Sequence, residues 1–137
     1  MGASLNQRMA PAVGAPTILV VEDNDDTREL YAWTFESGGY RVLAADSAEE
    51  ALRLLEHERV RVILTDYNLP RTTGVALLHQ ARKERLLDPA TPALICTAHR
   101  FVQPPTGVRV LHKPIDPMTL LGEVERALLH AEGKEVA

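Results

Sequence analysis

Aromatic residues are scarce: three Tyr, two Phe and one Trp make up 4% of the chain. The core must therefore be assembled from Leu, Val, Ile and Ala. Cysteine is scarcer still, since Cys96 stands alone, which excludes an internal disulfide and any cysteine-based zinc site. Positive charge is outweighed: 15 Lys+Arg against 19 Asp+Glu leave a formal net charge of −4. That balance lacks the basic footprint of an isolated nucleic-acid-binding module. No apolar run approaches the roughly 20 residues that span a bilayer. The stretch Met1 to Pro16 lacks the apolar centre of a signal peptide, because Asn6, Gln7 and Arg8 interrupt it. Asn6 also breaks the myristoylation pattern. What remains is a 137-residue chain with 45% apolar and 25% charged residues, the balance of one soluble globular domain, for which a cytoplasmic location is expected. A chain of this length buries roughly two-thirds of its unfolded surface, so it needs no covalent staples.

From Thr17 onward, short apolar runs alternate with amphipathic segments. The runs are Thr17–Val21, Tyr40–Ala44, Val60–Thr65, Ala93–Cys96 and Val108–Leu111. The first and fourth are apolar throughout, as expected of parallel strands covered on both faces. Helix signals lie between them. Asp26 and Glu29 resemble a capping box, with Leu30, Trp33 and Phe35 as the apolar surface and Gly38-Gly39 as the stop. Ser47 and Glu50 form a second box, and Val75, Leu77, Leu78 and Ala81 mark a third helix. Asp116-Pro117 places an N-cap before a first-turn proline, followed by a core-facing stripe from Leu120 to Leu129. This alternation predicts βαβ units, an α/β fold with a parallel sheet, preceded by a flexible tail over 1–16 and followed by a short one over 132–137.

Parallel sheets of this kind gather ligands at the carboxyl ends of their strands. The residues there are Glu22 and Asp23 after the first run, Asp66 after the third, Thr97 after the fourth and Lys113-Pro114 after the fifth. Three carboxylates packed together repel one another unless a proton or cation intervenes. A small hard cation with oxygen ligands, Mg²⁺, suits them. Such an ion and a lysine both neutralise an incoming phosphoryl group, and an Asp carboxylate is a competent nucleophile toward phosphorus. The chemistry implied is metal-assisted phosphoryl transfer to a carboxylate.

Four segments, Val20-Val-Glu-Asp-Asn24, Asp66-Tyr-Asn-Leu-Pro-Arg-Thr-Thr-Gly74, Cys96-Thr-Ala98 and His112-Lys-Pro114, resemble the receiver domain of bacterial two-component response regulators. The resemblance runs from about Thr17 to Leu129, and the domain is assigned to 17–131. It implies a doubly wound, five-stranded parallel sheet of order 2-1-3-4-5 with helices on both faces. It further implies that Asp66 accepts a phosphoryl group from the phosphohistidine of a histidine kinase or histidine phosphotransfer protein. Glu22, Asp23 and Asp66 then bind Mg²⁺, with Asn68 adding its backbone carbonyl. Thr97 hydrogen-bonds a phosphoryl oxygen, Lys113 pairs with the phosphoryl group, Pro114 follows a cis peptide bond and Gly74 serves the turn beside the site. The implied protein is no enzyme beyond its own phosphorylation and dephosphorylation, acts through an unidentified protein target, and is a monomer or weak dimer without nucleic acid or membrane.

Two features depart from that pattern. Val110 stands where the family carries a switch aromatic, three residues before the lysine. Only Ala98 to Gly107 separates the fourth and fifth strands, and Pro104-Pro105 and Gly107 leave no room for a full fourth helix, which is expected to be shortened or missing. The family uses that face for dimerisation and output. Two other functions stay open. Asp23-Asn-Asp-Asp-Thr27 also fits the nucleophile motif of haloacid-dehalogenase-like phosphatases, and the two departures suit a receiver-like binding module that is never phosphorylated. An EF-hand at Asp23 fails, because Arg28 and Thr34 occupy its glycine and glutamate positions. The five histidines, 57, 79, 99, 112 and 130, lack ligand spacing, although His99 falls near the mouth of the site. Cys96 reads as a small core residue.

Overall fold

The computed structural model describes residues 11–133. Its elements run β1 (Thr17–Val21), α1 (Asp25–Ser37), β2 (Arg41–Ala45), α2 (Ala48–His57), β3 (Val62–Asp66), β4 (Asn68–Leu69), β5 (Thr72–Thr73), α3 (Gly74–Lys83), β6 (Ala93–Thr97), β7 (Val108–His112) and α4 (Pro117–Ala131). The main sheet has the order β2-β1-β3-β6-β7, and every pairing in it is parallel. With the antiparallel β4–β5 hairpin set aside, this is the expected order 2-1-3-4-5. That hairpin is additional to the expectation from the sequence, which placed only a turn at Gly74 there.

Alternation along the strands divides the core between the two faces of the sheet. Leu19, Val21, Ile63, Ile95 and Val108 pack with Ala51 and Leu55 of α2 and with Leu77, Leu78 and Ala81 of α3. Ile18, Val20, Val62, Leu64, Leu94 and Cys96 pack with Tyr31 and Phe35 of α1 and with Leu120, Val124 and Leu128 of α4. Each fully buried aliphatic side chain contributes roughly 1.5–3 kcal/mol. Phe35 and Tyr40 add an edge-to-face pair with centroids 5.6 Å apart.

Most helix starts follow the expected chemistry. The Ser47 hydroxyl accepts from the Glu50 N–H at 3.1 Å, and the Asp116 carboxylate caps α4 at the Met118 and Thr119 N–H groups, with Pro117 in the first turn. At α1 the expectation is corrected: Asn24, not Asp26, is the N-cap, its side chain accepting from the Thr27 N–H at 2.8 Å. The helix thus starts two residues earlier, and its buried residues are Tyr31, Ala32, Thr34 and Phe35. Leu30 and Trp33, expected to face the core, are exposed, as is Leu129 at the end of the α4 stripe.

Between β6 and β7 the described chain forms no helix, so of the two expectations, a shortened or a missing fourth helix, the second holds. Thr106 in this segment accepts a hydrogen bond from Arg82 Nη1 at 3.1 Å, which ties the segment to the side of the sheet that carries α3. At the opposite edge from the strand carboxyl ends, Arg61 joins the beginning and the end of the domain. Its N–H donates to the Thr17 carbonyl at 2.8 Å, and its guanidinium pairs with Glu132 just beyond α4. Residues 11–16 contain a turn but no helix or strand. The rest of the proposed tails, 1–10 and 134–137, lies outside the described residues.

Candidate functional site

Each strand of the sheet's centre and β7 side delivers one functional group to the carboxyl edge. Glu22 follows β1 directly, where its N–H donates to the Ala45 carbonyl at 3.0 Å, and only 2% of the residue is exposed. Its Oε2 accepts from the Asn24 N–H at 3.1 Å and its Oε1 from Lys113 Nζ at 3.2 Å. Arg28 braces the same turn by donating to the Glu22 carbonyl at 3.0 Å while pairing with Asp25. Asp66 is the last residue of β3 and lies opposite Cys96 of β6. Its Oδ1 accepts from the Tyr67 N–H at 2.8 Å and lies 3.4 Å from Lys113 Nζ. Lys113 leaves β7 through its N–H, which donates to the Thr97 carbonyl at 2.8 Å, and the Lys113–Pro114 peptide is cis. The backbone therefore couples the hydroxyl and ammonium positions. Thr97 is 1% exposed, and its Oγ1 accepts from the His99 N–H at 2.9 Å.

Gly74 explains its own identity. Its N–H donates to the Tyr67 carbonyl at 2.7 Å, and a Cβ placed there would lie 2.3 Å from the Asp66 carbonyl oxygen. No side chain fits against a main-chain atom so close. The β4–β5 hairpin is held from outside by Arg71, whose backbone lies in the left-handed region (φ 67°) and whose guanidinium grips both oxygens of Glu49 at 3.1 and 3.2 Å.

Carboxylate oxygens of Glu22, Asp23 and Asp66 all lie within 4.8 Å of one another. Burial pushes Glu22 above the usual carboxylate range, with Asp66 adding repulsion against the relief given by Asn24 and Lys113. Burial likewise raises Asp66, although Lys113 and the Tyr67 N–H oppose it. Burial pulls Lys113 down, but Asp66 and Glu22 outweigh it and hold the ammonium charged above its ordinary range. Glu22 and Asp66 thus share one cation, with the Asp23 carboxylate beside them. An all-oxygen donor set short of positive charge fits a small hard divalent ion such as Mg²⁺.

The structure brings Glu22, Asp23, Asp66 and Lys113 together, and places Thr97 at the adjoining strand end. Asn68 lies two residues beyond Asp66, opening β4, with its side-chain amide 2.9 Å from His99 Nε2. The His99 ring also meets Tyr67 edge-to-face, centroids 5.0 Å apart. This Asn68–His99–Tyr67 contact was only half legible, since the sequence put His99 near the mouth but named no partner. Of the residues in the alternative phosphatase motif, only Asp23 enters the cluster. Asp25 pairs with Arg28, and the Thr27 N–H caps onto Asn24, so both serve the first turn of α1. Cys96 is buried, as expected of a core residue, and burial raises its thiol pKa. Among the described residues no helix is long and apolar enough to cross a membrane.

A family model described as the response regulator receiver domain matches residues 18–125. The chain is 35% identical over 118 residues to an uncharacterized 14.6 kDa protein of the sodA1 3′ region in Leptolyngbya boryana, covering 82% of this chain and 89% of that one. It is 30% identical over 120 residues to the response regulator receiver protein CpdR of Brucella abortus, covering 83% and 98%. The crystal structure of the receiver domain of the hybrid histidine kinase CckA matches with a TM-score of 0.72 at 34% identity, covering 82% and 98%. Longer relatives exist, of which the chain spans 33% in one case and 26% in another.

Proposed function

The chain belongs to the response regulator receiver family, and on that premise we propose that it is a phosphorylation-controlled signalling module whose acceptor is Asp66. The observation that carries this reading is the placement of the Asp66 carboxylate 3.4 Å from Lys113 Nζ, within a cluster of three carboxylates. The donor is the phosphohistidine of a histidine kinase or histidine phosphotransfer protein. An Asp66 oxygen attacks phosphorus, the P–N bond to the imidazole breaks, and an acyl phosphate forms. Glu22, Asp23 and Asp66, with the Asn68 backbone carbonyl, would hold Mg²⁺, which supplies neutralisation of the phosphoryl charge. Lys113 is already anchored by Glu22 and supplies a second positive charge without reorganisation. The Thr97 hydroxyl is the donor for a phosphoryl oxygen.

Beyond its own phosphorylation and dephosphorylation the protein catalyses nothing in this reading. It works in the cytoplasm, through a protein partner. Activation passes from Thr97 into the 98–107 segment as a shift of irregular backbone, since Val110 offers no ring to rotate. Amide exchange with and without beryllofluoride reads this directly: protection changes are expected in that segment, and unchanged exchange there overturns the route.

Acetyl phosphate with Mg²⁺, followed by intact-mass analysis, tests the acceptor. Modification is expected to be lost in Asp66→Asn, while Asp23→Asn keeps its acceptor. Modification that survives Asp66→Asn overturns the assignment, and loss in Asp23→Asn with survival in Asp66→Asn would favour the phosphatase-like chemistry. A wild-type chain that neither binds Mg²⁺ nor is modified would be a receiver-like binding module.

A further inference from the structure

A second concave surface lies at the end of the sheet away from Asp66. Residues 58–61 lead into β3 and residues 86–92 into β6, so both segments stand at the amino ends of their strands. Between them is a cleft of about 840 Å³. Four of its residues, Val60, Arg61, Asp88 and Thr91, also line a smaller hollow of about 200 Å³ that extends to Leu128 of α4. Small-molecule sites commonly span about 300–1,000 Å³. The inner wall is aliphatic: Leu55 and Leu87 belong to the core, and Val60 and Leu86 pack against it half-buried. No Phe, Tyr or Trp among the described residues lines the cleft.

Arg59, Arg61, Arg82 and Arg85 line the same cleft, against Glu56, Glu58 and Asp88. Most of these charges are answered within the protein. Glu58 pairs with Arg41, Arg61 with Glu132, the Asp88 carboxylate caps the Ala90 N–H, and Arg82 donates to the Thr106 carbonyl. Arg82 and Lys83 sit in the last turn of α3 and His57 in that of α2, where positive charge offsets the carbonyl ends of the helices. Arg59 and Arg85 remain, exposed and paired with no carboxylate among the described residues; Glu56 is the one cleft acid left in the same condition. Arg85 is the more telling of the two. It lies in the left-handed region (φ 61°) just past α3, where its N–H donates to the Arg82 carbonyl at 3.1 Å and the Leu86 N–H to the Ala81 carbonyl at 2.8 Å. Glycine ordinarily takes this place at a helix end, since it carries no Cβ. An arginine there bears a backbone strain that capping does not require, because Arg82 and Lys83 already supply the cations.

We propose that this cleft binds a small amphipathic anion, its carboxylate or phosphate head held by Arg59 and Arg85 and its hydrocarbon body laid on Leu55, Leu86 and Leu87. Guanidinium groups match the two oxygens of such a head, and an aliphatic wall without rings suits a saturated chain better than a nucleobase. The cleft shares no residue with the Asp66 cluster. Binding there does not require phosphorylation, so it stands or falls separately from the receiver chemistry.

The test is a titration of the unmodified full chain with octanoate and with octyl phosphate, each below its micelle-forming concentration, followed by backbone amide shifts. Saturable shifts are expected at Leu55, Arg59, Arg85 and Leu87, and the tighter of the two amphiphiles identifies the head. Octanol, which lacks the charge, and inorganic phosphate, which lacks the body, should each bind at least roughly tenfold more weakly. Arg85→Gly removes the guanidinium yet suits the backbone, so it should keep or raise the melting temperature while weakening binding roughly tenfold. Arg59→Gln, at an exposed side chain, should weaken binding to a similar degree with an unchanged circular dichroism spectrum. Shifts centred elsewhere, octanol binding as tightly as octanoate, full affinity in both arginine variants, or no saturable shift with either amphiphile would each overturn the proposal. So would binding to anionic vesicles alone, because the arginines would then meet a membrane surface rather than a molecule in the cleft.

Discussion

The two faces of the sheet are built to different degrees of completion. On one, α1 and α4 cover the strands, with Phe35 fully buried against Tyr40 and Leu120 and Val124 fully inside. On the other, α2 and α3 cover part of the sheet, and an irregular segment rich in proline follows where a third helix would lie. The carboxylate edge sits where both faces meet. Its fixed members, Glu22, Asp66 and Lys113, are held by backbone and ion-pair contacts that neither face alone supplies. The difference teaches that a receiver site can be anchored from the strands themselves, leaving one flank free to respond.

Four measurements bear on that contrast. The greatest effect is expected on the complete face: Phe35→Ala should cost about 3–5 kcal/mol in chemical unfolding, because the cavity it leaves is walled by packed side chains. A loss comparable to that of a surface substitution would mean the face is less well packed than its burial indicates. Next comes the seam at the site. Gly74→Ala should cost about 1–3 kcal/mol and slow modification by acetyl phosphate, since the new methyl group must displace the Asp66 backbone. Normal stability together with normal modification would show that the hairpin yields easily.

The third concerns charge. Glu22 and Asp66 have raised pKa values in the fold, so the folded state binds protons more readily than the unfolded chain. Their contribution is therefore favourable below the ordinary carboxylate pKa and is lost as pH rises through the raised folded value. Without metal, Asp66→Asn should gain on wild type by on the order of 1 kcal/mol between about pH 4 and neutrality, and Mg²⁺ should close the gap by stabilising wild type. A gap that is flat with pH and indifferent to Mg²⁺ would remove the repulsion from the account. The smallest effect belongs to the incomplete face: Phe101→Ser should change stability by less than about 0.5 kcal/mol. A larger cost would show that Phe101 packs on something, and would make the two faces more alike.

The parallel sheet and the residues at its strand ends were legible because both depend on short-range pattern, whereas the strand order followed only from the resemblance to the receiver family. Apolar runs place the strands, and a parallel sheet obliges Glu22, Asp66, Thr97 and Lys113 to meet at one edge whatever the helices do. The missing fourth helix was legible for the same reason, since Pro104-Pro105 forbids it locally. The α1 cap was misread because Asn24 and Asp26 are both competent caps, and its face was read right at Phe35 but wrong at Leu30 and Trp33, which are apolar yet exposed. The Asn68–His99 contact joins a residue of β4 to one just past β6, and the β4–β5 hairpin is closed by an Arg71 backbone conformation that its residue type does not announce. The rotation of a helix and a contact between distant segments are properties of packing, which periodicity alone does not record.

Arg61 bonds to the first residue of β1 and to the residue just past α4, so the domain's entry and exit lie side by side, remote from Asp66. An attachment at either end, whether a fluorophore, a surface tether or another folded protein, would leave the edge that carries Asp66 clear. The same closeness makes the domain suitable for circular permutation: joining the two ends with a short linker and opening the chain elsewhere should preserve the cluster of Glu22, Asp66 and Lys113.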